Sequence, residues 1–289
     1  MIEVDVLDRL CLGDHTCLVF DDDATRMQAL TGFIRAGLRD HHRIRYFGDG
    51  HDEITSALIA RGVDAAASIA AGQLQVSTPY ESYLAPGVFD PEATVGAWRA
   101  EAALAKAAGY RGLRVIGDMS WASRPIPGAD RLAWYEAQVN RVYADGDAMA
   151  LCLYDRRLFS AADLQRARWA HPAAVDRDTA HESVPLLRAV RTVDVPGIRL
   201  EGEADMSNRH ALRAVMEHLV EDTPATSRPL TVDVSGLRYA DVTAVRILMH
   251  IAVTAAHRLH LVGCSPVLQR LLAFNGAGAV PTLTVQAGA

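Results

Sequence analysis

The sequence predicts an α/β protein in two units: a doubly wound, mostly parallel sheet with helices on both faces, followed by a smaller α/β unit. Short apolar runs alternate with amphipathic stretches through the first two thirds of the 289 residues, which is typical of βαβ units. Residues 171–185 are polar and lack hydrophobic periodicity, so they predict a linker. Shorter strands and three helices follow. We therefore predict one unit at residues 1–178 and a second at 186–289.

The elements of the first unit each carry a local signal. Residues 24–39 place Met27, Leu30 and Ile34 on one helical face. A second helix begins at Asp90-Pro91 and stops before Gly109, because proline favours the first helical turn and glycine the position after the last. The predicted strands are 16–20, 43–47, 74–77, 112–117 and 148–154, and the predicted helices are 24–39, 52–60, 91–108, 130–143 and 160–169.

The second unit begins with two short strands around Pro196-Gly197. Ser207 is the predicted N-cap of a helix with an apolar stripe. A buried strand then leads to a turn at Ser235-Gly236 and to an amphipathic helix from about Val242. The predicted strands are 187–193, 198–201, 230–234, 258–262 and 283–285, and a short helix starts at Ser265-Pro266.

Charge and hydropathy exclude several classes of protein. The net charge of −6, without a dense cluster of basic residues, argues against nucleic-acid binding, which needs a basic surface. No run approaches the roughly 20 apolar residues of a membrane span. Residues 1–10 alternate apolar and acidic side chains, unlike a signal peptide. We expect a cytoplasmic protein that contacts neither nucleic acid nor membrane.

The cysteines do not predict a metal site. Cys11 and Cys17 flank His15, but this spacing matches no zinc knuckle or ribbon, and no second Cys/His pair completes four ligands. Buried, reduced thiols are the favoured interpretation of the four cysteines, and no cofactor is predicted beyond an unknown small organic ligand.

The segment after the first strand does not suit a phosphate-binding loop. Such loops use a glycine-rich turn and a lysine, but residues 21–26 read DDDATR, and the single lysine of the chain is Lys106. Three carboxylates would repel a triphosphate. Arg26 is the nearest substitute for the lysine, but it faces those acids. Asp118 ends a later strand, where an ATPase would hold its metal.

Catalytic motifs are equally sparse. No Gly-x-Ser-x-Gly elbow occurs, and the pairs His41-His42 and His257-x-x-His260 lack matching carboxylate or cysteine partners. We therefore predict that the chain is not an enzyme.

A small-molecule cleft is the main expectation for the first unit, because parallel sheets bind ligands beyond the carboxyl ends of their strands. Aromatic faces mixed with polar anchors suit such a ligand. Each candidate residue for this cleft also has an interpretation that involves no ligand. Trp121 and Tyr154 could pack in the core or at its rim, and His15 could make a structural hydrogen bond. Residues 21–23 could form a solvated turn and helix cap. Glu136 and Asn140, one turn apart, are interpreted as a surface or packing feature. The predicted cleft residues are His15, Asp21, Thr78, Tyr80, Asp118, Trp121, Tyr154 and Asp155.

The second unit has a candidate docking surface at the start of the helix near Val242. Thr243, Arg246 and His250 lie opposite its apolar face, and Asp241 precedes it. A phosphate at this positive helix end would be favoured by the helix dipole. The alternative is that Asp241 and Thr243 only cap the helix.

Residues from about 187 to 285 resemble a STAS domain, the fold of anti-sigma factor antagonists. The resemblance rests on EGEADMSN at 201–208 and VDVSGLRYAD at 232–241. Members usually read Asp-Ser-Ser-Gly or Asp-Ser-Thr-Gly at the second helix, and a kinase that is also the anti-sigma factor phosphorylates the first hydroxyl. Here the corresponding residues are Asp241, Val242, Thr243 and Ala244. The resemblance implies that such a partner docks at Asp241–Arg246, while the phosphoacceptor position holds Val242.

The first unit resembles the MEDS sensory domain through GDHTCLVF at 13–20, LRVIGDMSWA at 113–122, WYEAQVN at 134–140 and ALCLYDRRLF at 150–159. MEDS domains occur in bacterial and archaeal regulators that are thought to sense small organic compounds, and they are related to RecA-like ATPases. This resemblance implies a RecA-like fold without the phosphate chemistry.

Together the two resemblances predict a bacterial signalling protein that regulates transcription. A small ligand in the sensory unit would control docking of an anti-sigma factor or serine-kinase-like partner, and exposed sheet edges make a homodimer plausible. A RecA-like switch that binds ATP or GTP is the alternative, and a minor hydrolase is the third hypothesis.

Overall fold

The first unit is built on a six-stranded sheet that is parallel throughout. We describe it from a computed structural model, which describes residue 7 and residues 9–175, 187–224 and 228–288. The strands are β1 (His15–Phe20), β2 (Arg43–Phe47), β3 (Leu74–Ser77), β4 (Leu113–Asp118), β5 (Ala148–Asp155) and β6 (Ala173–Val175). Their order across the sheet is β3-β2-β4-β5-β1-β6. The predicted parallel sheet is therefore confirmed.

Helices cover both faces of this sheet. They are α1 (Asp23–Arg39), α2 (His51–Ala60), α3 (Ala65–Ala70), α4 (Pro91–Ala107), α5 (Leu132–Gln138), α6 (Asn140–Tyr143) and α7 (Ala161–Ala170). On one face Leu30 of α1 and Leu58 of α2 share a core with Ile44 of β2. On the other face Trp98 of α4 and Leu164 of α7 share a second core with Val115 of β4.

Side-chain caps fix where several of these helices begin. Asp22, Asp90 and Ser160 each accept a hydrogen bond from a backbone N–H one turn into α1, α4 and α7 respectively. Such caps satisfy amide groups that have no partner inside the helix. The starts of these three helices are consequently within one residue of the predicted ones.

The second unit is a five-stranded mixed sheet. Its strands are β7 (Leu187–Thr192), β8 (Gly197–Ala204), β9 (Leu230–Ala240), β10 (Leu259–Cys264) and β11 (Leu283–Ala287), in the order β11-β10-β9-β8-β7. Only the β7–β8 pair is antiparallel. The helices α8 (Arg209–Glu221), α9 (Val242–Thr254) and α10 (Pro266–Phe274) contribute buried residues to one core with this sheet.

The predicted turn at Ser235-Gly236 is wrong, because β9 continues through it to Ala240. Gly236 lies beside Glu201 of β8, and a Cβ at residue 236 would approach the Glu201 Cγ to 2.7 Å. The glycine therefore permits close approach of two paired strands across a bulge, where a sequence pattern alone suggests a turn.

Several other boundaries also differ from prediction, and three of these differences have a structural reason or consequence. Asn208, not Ser207, is the N-cap residue of α8, because Met206–Asn208 forms a separate turn capped by Asp205. The helix expected at 130–143 is divided at Val139 into α5 and α6. The predicted linker begins with a strand: β6 pairs with β1, and residues 176–185 of the linker lie outside the described part of the chain.

The two units contact each other through helices. α8 packs against α5, α6 and α7, and small side chains (Ala137, Ala170 and Ala214) form an apolar cluster within this contact. Among the residues that the structure describes, no helix combines the length and apolar character needed to cross a bilayer.

Candidate functional site

An internal ion pair occupies the position where a phosphate-binding loop would present its cation. Arg26 lies in the first turn of α1, and its Nη2 is 2.7 Å from the Asp118 Oδ2 at the end of β4. The same nitrogen donates to the Tyr46 hydroxyl at 2.9 Å. The nearest substitute for the lysine is therefore engaged by an acid at the end of β4.

A second arginine holds the end of β5 against the start of α1. Arg157 donates to both carboxylate oxygens of Asp155, at 2.9 and 2.7 Å, and to Asp23 at 2.8 Å. Although burial alone raises it, these hydrogen bonds hold the pKa of Asp155 below its ordinary value. The acids at this edge are thus paired within the chain.

A cleft of about 640 Å³ opens beside these pairs, at the carboxyl ends of β4 and β5. Residues 122–133 form one wall, and residues 154–167 form the other. Ile126, Leu158 and Phe159 supply apolar surface, while Arg124 and Arg166 supply charge. A cleft with this mixture can hold a small organic molecule and orient a polar group on it.

Only Tyr154 of the eight predicted cleft residues lines this cleft. Trp121, 1% exposed, points instead into an apolar chamber of about 20 Å³. Tyr80 lies under Arg124, with 5.9 Å from the guanidinium carbon to the ring centroid, and Thr78 hydrogen-bonds Glu81.

Asp118 and Asp155 belong to the ion pairs described above, and Asp21 is half-buried at the end of β1. The placement of His15 at the cleft is wrong: it is the first residue of β1, at the opposite end of that strand, and is 1% exposed. The end of a strand indicates where the backbone of a residue lies. It does not indicate whether the side chain reaches the cleft or is buried beneath a helix.

His15 instead belongs to a buried polar cluster with Glu136, Cys152 and His171. One ligand-type atom from each residue lies within 4.8 Å of the other three. The His15 Nε2 is 3.3 Å from both the Glu136 Oε2 and the Cys152 Sγ, and the His171 Nε2 is 3.4 Å from the Glu136 Oε2. Tyr154 donates its hydroxyl to the other oxygen of Glu136 at 2.7 Å. Tyr154 thus lines the cleft and touches the cluster.

Burial shifts the pKa of two members of this cluster, Cys152 and His171. It raises the pKa of the Cys152 thiol well above its ordinary value. It also lowers the pKa of His171 to about 4, because the charged imidazolium is disfavoured in an apolar environment. His171 is therefore a neutral imidazole at pH 7.

The predicted docking surface, which we call the α9 surface, consists of Asp241, Val242, Thr243 and Arg246. Asp241 caps α9 by accepting from the Ala244 N–H at 2.9 Å, and its other oxygen accepts from the Met206 N–H at 3.1 Å. Val242 is 41% exposed, Arg246 is exposed and Thr243 is half-buried. The capping alternative is confirmed for Asp241, and an apolar residue faces solvent beside it.

Polar contacts join the sensory unit to the second unit. Arg188 of β7 donates to both carboxylate oxygens of Asp14, at 2.8 and 2.7 Å, and Asp14 is 3% exposed. The Trp169 ring of α7 stacks on His210 of α8 with 5.9 Å between centroids. The Arg209 guanidinium carbon lies 3.6 Å from the centroid of the same Trp169 ring.

Comparison with protein families identifies both units. The family model described as "MEDS: MEthanogen/methylotroph, DcmR Sensory domain" matches residues 14–172. The model described as "Mlab, STAS domain" matches residues 187–283. A sensory domain joined to a STAS domain defines the class as a regulatory or signalling protein. The chain belongs to the MEDS family and carries a STAS domain after its MEDS domain.

Solved structures share parts of this architecture at low similarity. A KaiC-like protein from the hyperthermophilic archaeon Pyrococcus horikoshii is 11% identical, with 66% of this chain and 79% of that chain covered and a TM-score of 0.42. The flagellar accessory protein FlaH from Methanocaldococcus jannaschii is 10% identical over the same shares, with a TM-score of 0.39. Neither likeness bears on function at these values. No curated protein matches the chain.

The buried cluster escapes sequence reasoning because its members are far apart in the chain. Glu136 and Asn140 are both buried, so of the two interpretations of these residues the surface one is wrong and the packing one is supported. One signal was available: Glu136 and Asn140 are one turn apart on a helix that packs on the sheet, so they share a face that can point inward.

Proposed function

We propose that a small organic ligand in the cleft between residues 122–133 and 154–167 controls binding of an anti-sigma-factor-like partner at the α9 surface. The observation that carries this proposal is the position of α8. It packs on α5 and α7, which contribute to the cleft walls, and also on α9. A ligand that binds more tightly to one packing of α8 would therefore change the conformation of α9 and the affinity of the α9 surface for its partner.

A groove between the two units supports this coupling. It has a volume of about 470 Å³ and is lined by α5 and α7 on one side and by α8 on the other. Ala133 and Arg166 line both the cleft and this groove. A ligand that moves either residue would also change the surroundings of α8, and coupling between two sites requires such a shared element.

The proposal replaces phosphate control by ligand control. Val242 stands at the position that carries the phosphoacceptor in the STAS resemblance, and it has no hydroxyl. Its exposed apolar side chain favours a direct protein contact. The partner class we propose is an anti-sigma factor or related serine kinase, which this chain would bind without being phosphorylated at residue 242. The proposal assigns no catalytic step to the chain.

Replacing Val242 with lysine tests the docking surface. We expect Val242→Lys to weaken binding of a candidate anti-sigma kinase by about tenfold or more, because an unpaired ammonium in an interface costs more than about 1.4 kcal/mol. Val242 is exposed, so the melting temperature of the chain should not change. The affinity is measured by isothermal titration with purified kinases.

Val253→Lys is the matched control, because Val253 is 64% exposed near the other end of α9. This variant should bind as the wild type does. Equal affinities for Val242→Lys and wild type would rule out the α9 surface as the docking site. Asp241 is a poorer choice, since its side chain holds both α9 and Met206.

Adding ATP and Mg²⁺ tests the nucleotide-binding alternative. We expect no change in melting temperature, because Arg26 is engaged by Asp118 and the loop presents Asp21, Asp22 and Asp23. A ligand that binds only the folded state raises stability with its concentration. A melting temperature that climbs with ATP concentration would favour the nucleotide switch over the proposal.

A further inference from the structure

We propose that the buried cluster of His15, Glu136, Cys152 and His171 is a binding site for one divalent transition-metal ion, with Zn²⁺ as the best-matched metal. The ligand atoms would be the Nε2 of both histidines, the Oε2 of Glu136 and the Sγ of Cys152, which are the atoms that approach one another. This site is distinct from the cleft and from the α9 surface.

Four of the six distances among the ligand atoms match a tetrahedral site, and the other two are no longer than 4.8 Å. Zn–N and Zn–O bonds of about 2.0–2.1 Å and a Zn–S bond of about 2.3 Å place the ligand atoms roughly 3.3–3.6 Å apart. The Glu136 Oε2 is 3.3, 3.4 and 3.6 Å from the His15 Nε2, the His171 Nε2 and the Cys152 Sγ. The His15 Nε2 is 3.3 Å from the Cys152 Sγ. Four of the six edges of the tetrahedron therefore have the length that zinc requires.

Hydrogen bonds orient the lone pair of each imidazole toward the centre. The His171 Nδ1 is 2.8 Å from the Ala167 carbonyl oxygen, which can only accept, so the Nδ1 carries the hydrogen. The His15 Nδ1 is 3.0 Å from the Asn140 Oδ1. Asn140 uses its Nδ2 to donate to the carbonyls of Glu136, Ala137 and Ala170, which fixes its Oδ1 as the acceptor. In the neutral form of each ring, the Nε2 is then the free acceptor.

Acceptors outnumber donors at the centre of the cluster. The His15 Nε2, the His171 Nε2 and the Glu136 Oε2 offer lone pairs, and the Cys152 thiol brings a single hydrogen. The His171 Nε2 is completely buried and has no hydrogen-bond partner. Unpaired buried polar atoms are costly. One cation bound to all four atoms would satisfy the whole set.

The ligand types select the metal. Two imidazoles, one thiolate and one carboxylate suit zinc, whereas calcium and magnesium prefer oxygen ligands. All four residues are buried, and the protein supplies all four ligands, which is typical of a closed, structural zinc site. The hydrogen bonds that the Nδ1 of each histidine donates, and the one that Tyr154 donates to Glu136, are the outer contacts that such sites use.

A bound metal would fasten four separate segments. His15 starts β1, Cys152 lies in β5, Glu136 lies in α5 and His171 follows α7. Both α5 and α7 contact α8 of the second unit. The metal would therefore fix the helices that carry the contact between the units.

Cobalt titration of the full chain tests the site, because Co²⁺ reports its ligands by absorption. The purified, untagged protein is stripped with chelator and titrated with Co²⁺, then with Zn²⁺. We expect one equivalent of metal per chain by elemental analysis, intense visible bands typical of tetrahedral cobalt, and a near-ultraviolet thiolate-to-cobalt band. Zn²⁺ should displace the Co²⁺ and raise the melting temperature.

Two variants and a control assign the ligands. Cys152→Ser should lose the thiolate band, and His171→Phe should lose stoichiometric binding. Cys17→Ser is the control, because Cys17 is buried opposite Cys152 in the paired strand and should leave the spectrum unchanged.

The wild-type measurement decides the proposal even if a variant fails to fold. A folded wild-type chain that takes up no metal would overturn the inference. Bound cobalt without a thiolate band, or a band that survives in Cys152→Ser, would overturn it as well. None of these measurements uses the sensory ligand or the partner, so they are independent of the proposed function.

Discussion

Replacing Trp121 with alanine is expected to lower the free energy of unfolding of the sensory unit by about 3–5 kcal/mol. Trp121 is 1% exposed and is the largest fully buried side chain. Its ring centroid lies 5.4 Å from that of Tyr83 and 4.9 Å from that of Phe89. Alanine would leave a cavity where these aromatic rings now meet, and a close-packed core fills such a cavity only in part.

Trp134→Ala is the matched control for this prediction. Trp134 is 41% exposed and stacks with Arg131, whose guanidinium carbon is 4.7 Å from the ring centroid. Its loss should cost about 1 kcal/mol or less. Urea unfolding followed by tryptophan fluorescence measures both variants, since all four tryptophans lie in the sensory unit. Similar losses in the two variants would contradict the packing of Trp121.

Replacing Arg188 with alanine is expected to lower the free energy of unfolding by about 3 kcal/mol, because it leaves a buried carboxylate without its cation. Asp14 is 3% exposed and receives two hydrogen bonds from Arg188, so the lost interaction joins the sensory unit to β7 of the STAS domain. The backbone N–H of Cys11 would remain as a donor to Asp14 at 2.9 Å. Urea unfolding followed by circular dichroism measures the change across both units.

Two further variants distinguish this buried pair from a surface pair. Arg199→Ala breaks the pair with Asp233, but the Arg199 side chain is 54% exposed, so the loss should be below about 1 kcal/mol. Replacing both Asp14 and Arg188 with leucine should recover part of the loss, because no charge is then left unpaired. If Arg188→Ala costs no more than Arg199→Ala, the contact between the units does not depend on Asp14.

Most of the fold could be predicted because helix caps and hydrophobic periodicity involve residues that are close together in the sequence. The starts of α1, α4 and α7 follow from capping residues next to apolar stripes, and the strands β2 and β3 have the predicted bounds. The short β6 was missed because its three residues, AAV at 173–175, carry little strand signal and gain their place by pairing with β1. β9 was predicted too short because a glycine can indicate either a turn or a close approach of two strands, and Gly236 is of the second kind.

The candidate sites were predictable only where backbone position determines them. Asp241 precedes a helix in the sequence, so its role as the cap of α9 could be foreseen. The direction of a side chain at a strand end depends on which helix covers it, so Trp121 and His15 were placed in the cleft although both are buried elsewhere. The cluster of His15, Glu136, Cys152 and His171 depends on tertiary pairing of β1 with β5 and on the packing of α5.

The alanine contact between the units limits how such proteins can be recombined. Ala137, Ala170 and Ala214 come from α5, α7 and α8, and their small side chains allow these three helices to approach closely. A chimera joined between residues 175 and 187 would preserve both sheets, yet a larger residue at any one of the three positions would push the helices apart. A sensory domain from another protein would therefore fit this STAS domain only if small residues occupy the positions that contact Ala214 of α8. These three alanines thus restrict which domains can be exchanged.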